Sequence, residues 1–426
     1  MGYSWNRKNI SENNEWNTQG YKLYICHNAH DVGSSKNDEV FDITSIAHNI
    51  RHFTSIFSQP GKFTFTLDPD PNYILKISVG STVLFYVDGF KVFTGRIFNI
   101  KTNEEKNIDV VCYDKLRYFE NKTDIIVKDK TASEVFEIIC KQFGFKYKIV
   151  VPSTVKITET FIDKTLFEII QTCINKTYEN EELSSSDVLL SYIPEALKLF
   201  GGYKYFFIRD NLGILEFTEI NYLLNLQIQS KELITIGSKS LMTNYEYEID
   251  VDKNTCNSVI VKKKNKNKDE PDEIFEPQQD KDSIRWYGLL EKVFTFNENT
   301  TQFDAINFAS NYLEYNSRAK NTLKVTALGV TGLTAGMGVM FSLKRLMLRE
   351  YLYIEQATHN FDSDVYTMEL ELSSPKARSA WITSGIISRA EIEKDTPLFN
   401  AGNAYDVEDP VSGKFETYDL YSGDKL

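Results

Sequence analysis

The chain has 426 residues, a formal net charge of −12 and 42% hydrophobic residues, enough apolar material for roughly two to four packed units and too much for a disordered chain. The acid excess argues against duplex nucleic acid as the main ligand, because such binding needs clustered Lys and Arg to displace counterions. No run of about 18 apolar residues occurs, so no membrane insertion is expected, and Met1 to Gly20 is polar without an apolar signal core.

The first twenty residues read as an N-terminal arm. From Tyr21 to Phe119 the pattern is strand-like, and the 28 Phe and 24 Tyr favour β structure. Gly61 to Leu67 alternates with period two, as a half-buried strand does. Thr82–Val87, Phe90–Asn99 and Asn107–Tyr113 read as further strands, the first two joined by the hairpin signal Asp88-Gly89. This spacing suggests a small barrel or sandwich over 21–123.

The period changes near residue 124. Thr131 and Glu134 form a capping-box pattern ahead of Val135, Ile138, Ile139 and Phe143, which share a helical face. Thr165 and Glu168 open a second helix, with Phe145 to Val151 as a strand between the two. Glu179 to Asp187 reads as a polar loop. Tyr203–Arg209 and Ile214–Thr218 read as a hairpin, so 124–239 is an α+β middle domain. Strands return at Met242–Val251 and Asn257–Lys262. Lys262 to Asp282 is a charged run read as a mobile loop. A helix follows, with Thr301 and Asp304 as caps. Leu323–Leu328, Val339–Leu343, Tyr351–Ala357 and Asp364–Leu372 read as strands, and 376–426 as a polar extension holding Trp381, Phe399 and Tyr418. The fold class is therefore α+β, mainly β.

Val79-Gly80-Ser81-Thr82-Val83-Leu84-Phe85 echoes Ala335-Gly336-Met337-Gly338-Val339-Met340-Phe341. In this reading Phe93–Phe98 takes the place of Leu352–Ala357, and Asn107–Cys112 that of Asp364–Leu370. One small β-barrel module would thus appear twice, at 21–123 and 240–375, flanking the α+β region.

Chemistry-bearing patterns are few. Cys26, His27, His30 and Asp31 offer types that zinc accepts, but no second ligand pair is evident, so a polar loop after the first strand is expected. His48 and His52 stand at i, i+4 on a short helix or loop without the Glu of a zinc-protease motif. Asp68, Asp70 and Asn72 are separated by prolines and lack the terminal Glu of a calcium loop. Gly329 to Gly338 has no phosphate-cradling Lys-Ser/Thr. Lys262 to Lys268 is basic but runs straight into acids, the pattern of a solvated hairpin loop. The five cysteines are odd in number and sit mostly in apolar runs, which fits buried thiols in a reducing compartment. No catalytic, cofactor-binding or metal-binding residue is assigned, and no cofactor.

Taken in order, Val87 to Ile97, Val110 to Tyr118, Lys130 to Glu134, Lys164 to Ile170 and Phe207 to Leu215 resemble the XkdQ/YqbQ-type proteins of PBSX-like contractile tails. That group is related to the late-control D proteins and to the N-terminal parts of secretion-system spike proteins. The resemblance covers roughly 20–375. It implies a non-enzymatic structural protein, the baseplate hub of a contractile phage tail or tailocin. It further implies a homotrimeric ring in which two barrels per chain adapt a sixfold tail tube to a threefold spike. The implied partners are the spike, the tube protein and other baseplate proteins. The chain would be made in the bacterial cytoplasm and built into the particle's baseplate. Candidate assembly-interface residues are Phe90, Phe93, Arg96, Tyr113 and Trp381; the alternative is that these aromatics fill their own core and Arg96 is a solvated strand residue. The competing functions are a tail-associated wall-degrading enzyme and a glycan-binding tail-tip protein.

Overall fold

The computed structural model describes residues 20–27, 39–68, 77–102, 104, 107–180, 206–230, 234–252, 255–265, 271–296, 301–343, 348–361, 365–373, 404–408 and 415–419. The arm before Gly20, residues 28–31, Asp70, Asn72, residues 181–187 of the polar loop, Tyr203, residues 266–268, Asp364, Trp381 and Phe399 lie outside the described residues, as does the side chain of Asp304.

The first region carries β1 (Tyr21–His27), β2 (Glu39–Asp42), β3 (Ala47–Ser55), β4 (Lys62–Leu67), β5 (Thr82–Val87), β6 (Phe90–Thr102) and β7 (Ile108–Tyr113). Alternation dictates which face is buried: Phe63, Phe65 and Leu67 of β4 point inward and the residues between them outward. Asp88 and Gly89 both have positive φ, 50° and 81°, the backbone a two-residue hairpin between right-twisted strands requires. All pairings here are antiparallel, in the order β3-β4-β7-β6-β5-β1-β2.

A 3-10 turn at Lys115–Glu120 leads to the middle region. It holds β8 (Lys122–Thr131), α1 (Ala132–Gln142), β9 (Tyr147–Ile149), β10 (Lys156–Thr165), α2 (Leu166–Asn180), β11 (Phe206–Asn211), β12 (Ile214–Glu219) and α3 (Ile220–Gln229). Thr131 and Glu134 close the capping box that the spacing predicts: Glu134 N donates to Thr131 Oγ1 at 3.2 Å and Thr131 N to Glu134 Oε2 at 2.9 Å. The apolar faces of α1 and α2 meet β11 and β12 around Phe119, Phe136 and Phe217. β8 and β10 form a two-stranded ribbon with mostly exposed side chains. Their buried face is sparse, Val127, Ile157 and Phe161 against the middle-region core, and the exposed Ile126 and Ile162 on the other face blur the alternation, so the pattern did not reveal them.

The last region contains β13 (Ile234–Gly237), β14 (Met242–Asp250), β15 (Ser258–Lys263), β16 (Glu273–Ile274), β17 (Gln278–Gln279), α4 (Lys281–Tyr287), β18 (Glu291–Phe296), α5 (Gln302–Asn316), β19 (Lys320–Leu328), β20 (Gly338–Leu343), β21 (Leu348–Phe361) and β22 (Tyr366–Ser373). β23 (Ala404–Glu408) and β24 (Phe415–Asp419) pair as a hairpin within the extension. The charged run corrects the loop reading: β16 and β17 both pair with β15, and Asp280 caps α4 by accepting from Ser283 N at 3.0 Å. Together with β18 and α5 these elements make a small insertion with its own core of Cys256, Val259, Val261, Phe275, Ala305, Ala309 and Leu313.

β14, β19, β22, β21, β20 and β13 join the first region in one 13-stranded sheet. The sheet runs as two halves of equal plan. The orders β3-β4-β7-β6-β5-β1 and β14-β19-β22-β21-β20-β13 match strand for strand. The halves differ at the end, where β1 is antiparallel to β5 but β13 is parallel to β20. They meet where β3 pairs with β21. Among the described residues the pairings form an open path and no closed barrel.

Candidate assembly interface

The equivalence of the halves extends to single hydrogen bonds. Gly80 and Gly336 have φ of 91° and 86°, a conformation that glycine adopts without penalty. Gly80 N donates to Ile97 O and Gly336 N to Ile354 O, both at 2.8 Å. Ile97 N returns to Ser81 O, and Ile354 N to Met337 O. A bulge follows at the same place in both, between Ile97 and Asn99 and between Ile354 and Gln356. The echo around Gly80 and Gly336 is therefore structural. The matches proposed for the next two strands correct by two residues: Ile97 corresponds to Ile354, and Cys112, paired with Ile97, to Leu372, paired with Ile354. Simple alternation reads equally well at either offset, so only the shared bulge fixes the alignment.

The junction of the halves follows from the length of β21. Leu348–Tyr353 pairs with β20, and Gln356–Phe361 runs past the end of β20 and takes β3 on that edge. The registers include Gln356↔Ser55, Thr358↔Phe53 and His359↔His52. Ala335 N donates to Thr54 Oγ1 at 3.1 Å, and Ile56 N to Glu355 O at 3.0 Å. Beside this seam one cluster draws on all three regions: Ile56, then Phe207, Ile220, Leu223 and Leu224, then Ala335 and Tyr353. Gln227 of α3 adds a buried pair of hydrogen bonds to the two backbone groups of one residue, accepting from Gly338 N at 2.6 Å and donating to Gly338 O at 3.2 Å.

His48 and His52 lie on strand β3, which corrects the helix-or-loop reading; a bulge between His48 and Arg51 breaks the period of two, so His48 lies across from Thr66 on the outer face and His52 across from Phe63 on the buried one. His52 is buried against Phe93, ring centroids 5.5 Å apart, and His359 is buried beside it. Burial holds both imidazoles well below their usual range, to about 3 for His52, where the nearby His359 adds to the effect, and to about 4 for His359. A second enclosed pair sits where the first half meets the middle region. Asp114 accepts from Gly61 N at 2.9 Å and Leu116 N at 3.0 Å; Asp210 accepts from Lys115 N at 2.8 Å and from Gly213 N. Burial raises both carboxyls, Asp114 further through the charge of Asp210, and Asp210 reaches about 6. Neither pair was singled out as a site from the sequence. The sequence carries little signal for them: most of their immediate neighbours are polar, such as Thr358 and Asn360 around His359 and Arg209 and Asn211 around Asp210.

The five candidate residues divide. Phe90 follows the hairpin turn and is 51% exposed. Phe93 is buried and stacks on Phe63 with centroids 4.7 Å apart. Arg96 is half-buried, its guanidinium 3.5 Å from Gly80 O. Tyr113 stands edge-on to Phe98, with the Arg117 guanidinium over both rings. Trp381 lies outside the described residues. Among the described residues no group of three or more His, Cys, Asp or Glu side chains is placed to hold a metal ion, and no helix is long and apolar enough to cross a membrane. All five cysteines are buried free thiols.

A family model described as YQBQ-like matches residues 50–373. No curated protein matches the chain. Among solved structures, the 43 kDa tail protein of prophage MuSo2 from Shewanella oneidensis is similar, with a TM-score of 0.59 and 12% identity over 84% of this chain and 99% of that one. The tail protein from Neisseria meningitidis MC58 is similar with a TM-score of 0.55 and 13% identity, over 83% of this chain and 96% of that one. At these identities the likeness is one of fold.

Proposed function

We propose that this chain, which belongs to the YQBQ-like family, is a structural component of a phage-type tail and within it the baseplate hub of a contractile particle, phage or tailocin. One observation carries the reading: a single chain holds the same six-strand pairing order twice. Three copies of such a chain would offer six near-equivalent faces, which suits an adaptor between a sixfold tube and a threefold spike. A homotrimeric ring uses heterologous contacts that close after three steps. Each half-sheet would complete a barrel-like module in that ring, and a closed arrangement leaves few free edges to bear load or aggregate. The proposed partners are the chain itself, the spike, the tube protein and neighbouring baseplate proteins. The proposed place is the tail baseplate, after synthesis in the bacterial cytoplasm. Phe90, exposed beside a hairpin turn, is kept as a proposed contact residue. No catalytic role is proposed.

The test is the native mass of the purified chain with and without its spike protein. A trimer, alone or with the spike, is the expected result; a monomer under both conditions overturns the hub. Zymography on peptidoglycan separates the enzyme reading, since lysis abolished by one carboxylate substitution would replace the structural one.

A further inference from the structure

The contact that joins the two halves within one chain has a second counterpart that no described strand fills. β3 pairs with the far part of β21. In the repeat, β14 is the equivalent of β3 and β6 the equivalent of β21. β14 is an end strand of the sheet, with β19 along one edge and no described strand along the other. β6 runs past the end of β5, and its segment Asn99–Thr102 has only β7 alongside among the described residues. A single chain cannot fill this junction in the same geometry, because its β3–β21 contact already fixes the halves to each other.

We propose that β14 of one copy adds to Asn99–Thr102 of β6 in the next copy, antiparallel, repeating between chains the junction made within each. This rests on the ring reading above and deepens it by naming the strands. The register follows without a free choice. Ile97 corresponds to Ile354 through the shared bulge, and Tyr247 to His52, because each pairs with the residue that faces Leu372 or Cys112. Transferring Gln356↔Ser55 and its successors gives Asn99↔Asp250, Ile100↔Ile249, Lys101↔Glu248 and Thr102↔Tyr247.

The side chains suit that register, although it was derived from backbone pairing alone. Ile100 meets Ile249, an isoleucine left 42% exposed at the sheet end. Lys101 meets Glu248 in a strand that also carries Glu246 and Asp250. Opposite charges and apolar pairs directly across an antiparallel ladder each favour pairing. A third match comes from the turn. Ala335 is 5% exposed because it packs at the intrachain junction, while its counterpart Val79 is 62% exposed. The same junction between copies would bring Val79 towards Ile249 and Val251, the counterparts of Thr54 and Ile56. An exposed strand edge is a template for another chain, and filling it in a closed ring leaves none of these edges open.

The test uses the full chain. Ile100→Cys with Ile249→Cys places one thiol on each proposed strand, and the five native cysteines are buried. Under mild oxidation the double variant is expected to form disulfides between copies, seen as a ladder on a non-reducing gel that stops at the ring size, while each single variant stays uncrosslinked. Lys101→Glu and Glu248→Lys, both on exposed side chains, are each expected to weaken association roughly tenfold, and the double exchange to restore it. A chain that assembles by mass yet shows neither the crosslink nor the charge effect overturns this strand pairing and leaves the ring standing. A chain that is monomeric with and without its spike overturns both.

Discussion

His359 faces His52 across the β3–β21 strand pair, where the two halves of the sheet meet, with ring centroids 6.4 Å apart and planes 30° from parallel. His359 is fully engaged: Nε2 is 2.6 Å from Leu333 O and Nδ1 2.8 Å from Tyr366 Oη. Since a carbonyl only accepts, Nε2 carries the proton and Nδ1 accepts from the tyrosine, which is a neutral imidazole. His52 has a buried Nδ1 without a partner and packs among Phe63, Phe93 and His359. The intrachain seam is therefore built on two uncharged histidines, whereas the proposed seam between copies has Thr102 and Tyr247 at the matching place.

Acid should weaken the intrachain seam. The folded imidazoles titrate at about 3 and about 4 against 6.5 for an ordinary histidine. Between these values the unfolded chain binds more protons, so stability is intact above about pH 6.5 and falls as pH drops towards 4. His52→Phe removes one of the two groups and keeps an aromatic ring in an aromatic site. Melting curves at pH 7 and pH 5 should show a smaller loss in this variant than in the wild type. An equal loss in both would place the acid sensitivity elsewhere.

The carboxyl pair Asp114 and Asp210 should act in the opposite direction. Both are raised above 3.8, and Asp210 to about 6, so across that interval the folded state binds more protons than the unfolded one. Their contribution makes the chain more stable at the acid end and less stable as pH rises through about 6. Asp210→Asn sacrifices one of two accepted backbone bonds and is expected to be less stable than wild type at pH 4. The decisive quantity is the slope of unfolding free energy between pH 4 and pH 6.5. It should become more positive in the variant, because a term that falls with pH has been removed.

Gly95 has no room for a side chain. A Cβ there would collide with the carbonyl oxygen of Tyr113 on β7 and with the ring of Phe93. The first obstacle is backbone held in a ladder and cannot move aside. Gly95→Ala is expected to cost about 1–3 kcal/mol, read as a lowered denaturation midpoint at unchanged m-value. Gly80→Ala provides a contrast: nothing lies within 4 Å of its Cβ position, and the cost there is that of a positive φ alone.

The sequence revealed those elements whose pattern has one cause. The β4 alternation, the Asp88-Gly89 turn and the Thr131–Glu134 box were legible because each depends on neighbours in the chain. The β8–β10 ribbon and α4 were hidden, the former because exposed Ile126 and Ile162 stand opposite its few buried residues and blur the alternation, the latter because charge masked a short helix. The repeat was visible at Gly80 and Gly336, where positive φ demands glycine. It blurred in the following strands, where the alignment depends on a bulge that leaves no residue signature. The proposed interface was least legible. Phe93 is as apolar as an anchor should be and fills the core, while Lys101 and Glu248 look like ordinary surface charges until the proposed junction sets them opposite each other.

Gln227 ties the middle region to the second half through the backbone N–H and C=O of Gly338, at the first position of β20. Pairing of β13 with β20 begins one residue later, at Ile234↔Val339, so the ladder alone leaves that edge of Gly338 open. The amide fits because it offers an acceptor to the N–H and a donor to the C=O at once. Gln227→Leu keeps similar bulk and removes both, so two buried backbone groups lose their partner, at about 1–3 kcal/mol each when nothing replaces it. Gln227→Glu separates the two bonds. Its carboxylate can still accept from the N–H but repels the carbonyl, and protonation restores a donor. Its deficit relative to wild type should therefore shrink as pH falls towards 5, while that of Gln227→Leu stays constant. Hydrogen exchange of peptides spanning residues 336–343 should report the same order, fastest in the leucine variant. Unchanged exchange there in Gln227→Leu would mean that α3 is held to β20 by the apolar cluster alone.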